Sequence, residues 1–278
     1  MVAPVERLGF SQPEAWAMKY FASTTLLSGL DIPRDSVPGS VTFGVELGQV
    51  PELSVEQQRV GFGGTKEEDL NSAPIFLRPR VAVELPWRLS FTVAFAPPVR
   101  FFGVTPRLIA AGLERPFYER AEWKLGWRAY GQVGTVQGAF TCPRAALAFP
   151  EGSPNNSYGC EAESADVATL RYIGGELSGS RRFTKMGGLT PHAAVAVNYV
   201  DSAFQVNAHT FGYLDHTRLE TRGTTVSLST GIGYELTQRF GLAVDLFYSP
   251  LEVRRGLGSP LSNDGLLNAR ALVSYRLR

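Results

Sequence analysis

Strict two-residue alternation recurs along this chain and limits what it can fold into. From Thr224 to Leu236, Val226, Leu228, Ile232, Tyr234 and Leu236 point one way, and Thr225, Ser227, Ser229, Gly231, Gly233 and Glu235 the other. After Thr237-Gln238-Arg239 the pattern restarts, with Phe240, Leu242, Val244, Leu246 and Tyr248 opposing Gly241, Ala243, Asp245 and Ser249. Side chains of a strand alternate faces, so each segment has one apolar face and one small or polar face. Aromatic residues sit near the ends of the apolar face. That is the dyad pattern of a transmembrane β-barrel, with lipid outside and a polar lumen inside.

The alternation predicts ten strands, near Ser40–Val50, Ile75–Leu85, Leu89–Phe95, Val104–Pro116, Ala121–Thr141, Val167–Ser178, Leu189–Val200, Thr224–Leu236, Phe240–Pro250 and Gly265–Arg278. Phe204–Tyr213 leaves room for two further short strands, which would make twelve. Short turns alternate with longer segments at 51–73, 142–165, 201–222 and 251–264. Bacterial barrels have short periplasmic turns and longer external loops. Both termini are therefore expected in the periplasm and the longer loops outside. The fold class is all-β: an antiparallel transmembrane barrel over 38–278, preceded by a helical segment over 1–37.

Composition agrees with this class. Charged residues make up 19% of the chain, below the ~25% of soluble domains. A formal net charge of +1 argues against a nucleic-acid partner. The expected partners are membrane lipids and a small-molecule solute. No apolar run reaches the ~18 residues of a membrane helix. Residues 1–10 carry Glu6 and Arg7 and do not read as an export signal, so a processed chain is expected. Ser11-Gln12-Pro13-Glu14 reads as a capping box, with Trp16, Tyr20 and Leu27 following at helical spacing and Gly29 as C-cap. Lys19 is the one charged residue between Ala15 and Leu30, so this helix should be buried, as a plug in the lumen or a cap on the periplasmic mouth.

Glu46, Arg80, Glu84, Glu122, Lys124, Arg128, Glu235, Asp245 and Arg270 fall on the inward face. They read as a salt-bridge network filling a narrow lumen, or as the lining of a solute path. Cys142 and Cys160 bracket a polar segment rich in proline and glycine, which predicts a disulfide made in an oxidising compartment.

The dyad pattern over 38–278, ending in Ala271, Val273, Tyr275 and Leu277, resembles bacterial outer-membrane β-barrel proteins as a class. Many members end in an aromatic residue, whereas this chain ends Tyr275-Arg276-Leu277-Arg278. The resemblance implies a porin-like channel or transporter for small solutes. Its alternatives are a surface binding or anchoring protein with a closed lumen, and an outer-membrane hydrolase. His209 lacks the His-x-Ser spacing of the phospholipase members, and Asp215-His216 is the one dyad placed as in the protease members. No Gly-x-Ser-x-Gly, Walker or metal-ligand motif occurs, so an enzyme, a cofactor and a metal are not expected.

Overall fold

The computed structural model describes residues 5–30, 37–256 and 258–277. Ten antiparallel strands close into a barrel: β2 (Val41–Gln49), β3 (Ile75–Leu85), β4 (Leu89–Ala96), β5 (Thr105–Arg120), β6 (Trp123–Gly138), β7 (Asp166–Arg181), β8 (Thr190–Gln205), β9 (Arg218–Glu235), β10 (Phe240–Ser249) and β11 (Leu266–Arg276). Each pairs with its sequence neighbours. β11 closes on β2 through Val273↔Val45, and β9 meets β10 through Leu228↔Tyr248. The ambiguous region around Phe204–Tyr213 resolves into the end of β8 and a small hairpin, Ala208–Thr210 with Tyr213–Asp215, outside the barrel sheet. The barrel is therefore ten-stranded. Arg278, where the expected last strand ended, lies outside the described residues.

Closure pairs the ladder groups that an open sheet would leave at its edges, and such pairing is a condition for strands to cross lipid. The outward face is apolar on successive strands: Val45 and Leu47, Val93 and Phe95, Ile173 and Leu177, Val195 and Val197, Val244 and Leu246. Phe43, Trp87, Phe91, Trp123, Phe240 and Tyr275 ring the short-turn end. Exposed Arg107, Arg171 and the Arg222–Asp201 pair mark where this belt stops on the other side. β5 to β9 are the long strands and β2, β3, β4, β10 and β11 the short ones, so one wall is taller than the other. A strand needs only ~9–11 residues to cross, so the tall wall projects beyond the belt.

A helix α1 (Pro13–Thr24) and the extended residues after it occupy the inside. The expected capping box does not form. Gln12 is the N-cap and makes no side-chain cap bond, its Oε1 accepting instead from the Gly9 backbone. Glu14 turns toward the 51–73 loop and accepts from Gly63 N at 2.5 Å. The helix also stops at Thr24, well before Gly29, because from Thr25 onward the backbone carbonyls are taken by barrel arginines. The chain enters at the long-loop end. A short strand β1 (Val5–Arg7) lies parallel to Arg218–Glu220, on the part of β9 that β10 does not reach. Trp16 Nε1 donates to Asp264 O at 2.9 Å and Tyr20 OH to Pro51 O at 2.7 Å, both in loops of that end. β11 finishes at the opposite end, where Arg276 pairs with Thr42. Thus the described N-terminal residues and the last strand lie at opposite ends of the barrel, which corrects the expectation of both termini on one side. Loop lengths report how the strands are joined and carry no information on a segment threaded through the lumen.

Candidate functional site

The inward side chains converge on one stretch of backbone, Ser23–Leu30. Arg78 Nη1 donates to Thr25 O at 2.8 Å, and Tyr172 OH donates to the same oxygen at 2.8 Å. Arg270 Nη1 donates to Leu26 O at 2.9 Å and Ser28 O at 3.1 Å. Arg128 Nη1 donates to Gly29 O at 2.9 Å. Carboxylates take the N–H groups: Glu176 Oε2 accepts from Gly29 N and Asp245 Oδ2 from Leu30 N, each at 2.8 Å. Backbone that has left the helix presents both donors and acceptors, so a two-sign lumen can satisfy it without a partner strand.

The charges also satisfy one another. Arg78 lies on both oxygens of Glu46, at 2.8 and 2.9 Å, with both side chains 1% exposed. Arg80 reaches Glu46 at 3.3 Å. Arg128 bridges Glu114 at 2.6 Å and Glu176 at 3.2 Å. Asp245 Oδ1 lies 2.5 Å from His192 Nε2. Arg270 stacks 3.8 Å above the Phe247 ring. Arg78, Arg80, Arg128 and Arg270 thus face Glu46, Glu114, Glu176 and Asp245, and the network balances. Gly29 is at φ 70°, and a Cβ there would sit 2.6 Å from Asp245 Oδ2 and 2.8 Å from Ser229 Oγ. The left-handed turn and the close approach both require glycine.

Of the residues singled out in the sequence, Glu46, Arg80, Arg128, Asp245 and Arg270 come together here. Glu84 and Lys124 line a polar vestibule toward the short turns, beside Arg80, Arg88 and Glu114. Lys124 is 3.7 Å from Glu119. Glu122 and Glu235 do not join the network. Glu122 lies in the turn before β6 and pairs with Arg181 at 3.3 Å, and Glu235 ends β9 and pairs with Arg182 at 2.7 Å. Both are rim residues, because the strands end where alternation on paper still continues. Arg78, Glu114, Glu176 and His192 were not singled out. Parity could have found them: Arg78 shares the face of Arg80, and Glu114 and Glu176 each precede or follow lipid-facing leucines.

Above the network, at the long-loop end, lies a cavity of about 420 Å³. α1 contributes Ala17, Met18 and Phe21, the 51–73 loop Val60, Phe62 and Leu70, and the tall wall Leu170, Phe204 and Leu219. Glu14, Lys66 and Glu68 are polar groups on one side of it, and Glu6, Asp215 and Thr217 lie on the rim by β1 and the start of β9. Lys66 Nζ lies 3.1 Å from Glu68 and donates to Thr141 O at 2.7 Å. Burial pushes the Glu68 carboxyl up to about 8, against the opposing pull of Lys66. It also raises Glu14, and it lowers the Lys19 ammonium to about 8. A second cavity of about 140 Å³ adjoins, sharing Phe21, Leu70, Phe140 and Leu170 with the first.

Cys142 and Cys160 form a disulfide, with Cα atoms 5.6 Å apart, in the 139–165 loop. Asp215 and His216 do not face each other: Asp215 Oδ1 accepts from Thr217 N at 2.8 Å, and His216 Nδ1 lies 2.9 Å from Asn207 Oδ1. His209 sits exposed on the small hairpin.

No protein-family model matches the sequence, and no curated protein matches it. Solved structures do resemble it. The outer membrane protease OmpT of Escherichia coli matches at 12% identity over 86% of this chain and 92% of its own, with a TM-score of 0.42. The translocator domain of the autotransporter NalP from Neisseria meningitidis matches at 9% identity over 93% and 94%, with a TM-score of 0.44. The toluene transporter TbuX of Ralstonia pickettii matches at 9% identity over 100% and 95%, with a TM-score of 0.32. The likeness is one of class: this chain resembles the β-barrels of the bacterial outer membrane.

Proposed function

We propose that the protein resides in the bacterial outer membrane and takes up a small, uncharged apolar solute through the cavity at its long-loop end. The carrying observation is the cavity itself, whose volume of about 420 Å³ lies within the ~300–1,000 Å³ of small-molecule sites. Most of its walls are apolar side chains, with polar groups set among them, the usual make-up of such a site. Residues 5–30 serve as the plug of the lumen and α1 as the floor of the site. The long-loop end faces outside, as the longer loops of bacterial barrels do. Equilibrium retention of radiolabelled naphthalene on the purified protein tests the reading. Saturable retention that Met18→Trp abolishes is expected, and no retention by the unaltered protein sinks it.

The sealed lumen favours a second reading, a surface binding or anchoring protein whose barrel only displays its loops. Planar-bilayer conductance separates pores from both readings, because a lumen filled by residues 23–30 should pass almost no ions.

A further inference from the structure

Among the described residues the barrel ladder has gaps: β9 runs past β10 beyond Leu228, where β1 and Phe10 lie against it, and β3 parts from β4. β3 and β4 pair from Leu85↔Leu89 up to Arg80↔Ala94 and no further, although β3 runs on to Ile75 and β4 to Ala96. Beyond Arg80, β3 keeps only its other neighbour, through Pro79↔Val45 to Ile75↔Gln49. Pro79 has no N–H, so it cannot give a ladder bond. β4 then leaves the sheet at Pro97-Pro98, and the chain returns to β5 through a tight turn in which Phe101 and Val104 exchange backbone bonds at 2.9 Å. The Ile75–Pro79 edge of β3 therefore faces the end of β4 and the turn that follows it without pairing. At membrane depth such backbone is tolerated only where it is buried in protein or lines a cavity.

A cavity stands at this seam. It is the smaller one, about 140 Å³, bounded by Ile75, Phe76 and Leu77 on one edge and Phe101, Phe102 and Val104 on the other. Ile75, Leu77, Phe101 and Phe102 are each 40% exposed or more, so the rim presents apolar surface outward. The depth follows from register. Phe95 is opposite Ile109, just inside exposed Arg107, which marks the outer edge of the apolar belt. The seam thus starts inside the outer half of the belt, at Phe95, and its Phe101–Val104 rim reaches the belt's outer edge. Inward, Phe21, Leu70, Phe140 and Leu170 separate it from the mouth cavity and line both. The Phe21 and Phe140 rings meet at 6.0 Å between centroids. The way straight down is different in kind: it runs into the buried ion pairs that clamp residues 23–30.

We infer that the apolar solute leaves the mouth cavity sideways, between β3 and β4, into the outer half of the bilayer, and does not descend the lumen. This rests on the reading of the mouth cavity as the solute site. The chemistry favours the sideways exit because apolar surface gains about 25 cal/mol per Å² in leaving water for hydrocarbon, while the lumen offers it only charge. The same edges reject an ion or a sugar, which would be desolvated against aromatic side chains.

The test bridges the seam. Leu77→Cys with Phe102→Cys places one thiol on each edge, and a short bis-maleimide joins free thiols while leaving the Cys142–Cys160 disulfide intact. Radiolabelled naphthalene is the probe, with uptake counted on intact cells whose lipopolysaccharide leaflet excludes it, and retention counted on purified protein. Before bridging, the variant should behave as the unaltered protein, which certifies its fold. After bridging, uptake should fall to the level of cells lacking the protein, with retention unchanged. Uptake that continues unchanged through a bridged seam overturns the lateral route. Failure of the mouth-cavity reading looks different: the unaltered protein then retains no naphthalene. Ile75→Cys with Phe101→Cys spans the same seam and must give the same result.

Discussion

Arg78 and Glu46 show what single residues do in this lumen. Each is 1% exposed, and each is the other's main counter-charge. Removing one partner of a buried pair leaves an uncompensated charge and typically costs ~3–5 kcal/mol. Arg78→Met should therefore lower stability by about that amount, read as a lower urea midpoint in detergent, and Glu46→Met should do the same. The double replacement should cost less than the sum, since no orphan charge remains. Equal and additive losses would show that the pair is not coupled. Glu68 makes a pH prediction. Its folded pKa of about 8 lies above the ordinary 4.5, so its contribution to stability is complete below 4.5 and is lost as pH rises toward 8. Retention of an uncharged probe in the mouth cavity should weaken over the same rise, as the carboxyl beside it ionises. Glu68→Gln should flatten both profiles, and an unchanged slope in that variant would refute the assignment.

At the scale of elements, the Ser23–Leu30 stretch is held at many points by groups from β3, β6, β7, β10 and β11. Multiple anchors make the loss of any one tolerable for closure. Arg128→Ala should lower the thermal midpoint yet leave bilayer conductance near zero, because Arg78 and Arg270 still hold Thr25, Leu26 and Ser28. Gly29→Val should do more, since its left-handed φ and its proximity to Asp245 and Ser229 leave no space for a side chain. Strain of ~1–3 kcal/mol falls on the turn itself, and conductance should rise. A silent Gly29→Val would show that the stretch does not seal the lumen. The 139–165 loop is closed by its disulfide, worth roughly 3 kcal/mol for a loop of this size. Cys142→Ser with Cys160→Ser should expose that loop to protease cleavage in intact cells without releasing the barrel from the membrane.

The whole molecule is a barrel with one tall wall, one short wall and a peptide inside. The short wall is where α1 and the loops 51–73 and 250–265 close the mouth, and the tall wall supplies the apolar back of the cavity. Its residence in lipid rests on the outward belt. Leu177→Arg places a charge on that belt, well inside the Arg171 edge, and should cost ~2–4 kcal/mol, measured by the yield of heat-modifiable folded protein. The same replacement at Arg171's neighbour on the projecting wall, Thr169, should be nearly silent.

Alternation made the ten strands and the inward face of Glu46, Arg128, Asp245 and Arg270 legible in the sequence, because strand parity is a local property with a period of two residues. Composition and the cysteine bracket made the disulfide legible for a similar reason, since few residues and one loop are involved. The sequence did not determine where residues 5–30 lie, that Glu122 and Glu235 end at the rim, or that β3 and β4 part at Arg80. These depend on which charges from distant strands meet one backbone segment, and on how far neighbouring strands overlap. The segment Ser23–Leu30 carries no charge of its own; its place is fixed by carbonyls and N–H groups, which every residue other than proline possesses. Only the closed barrel, by aiming arginines and carboxylates at one line, gives those common groups a specific address.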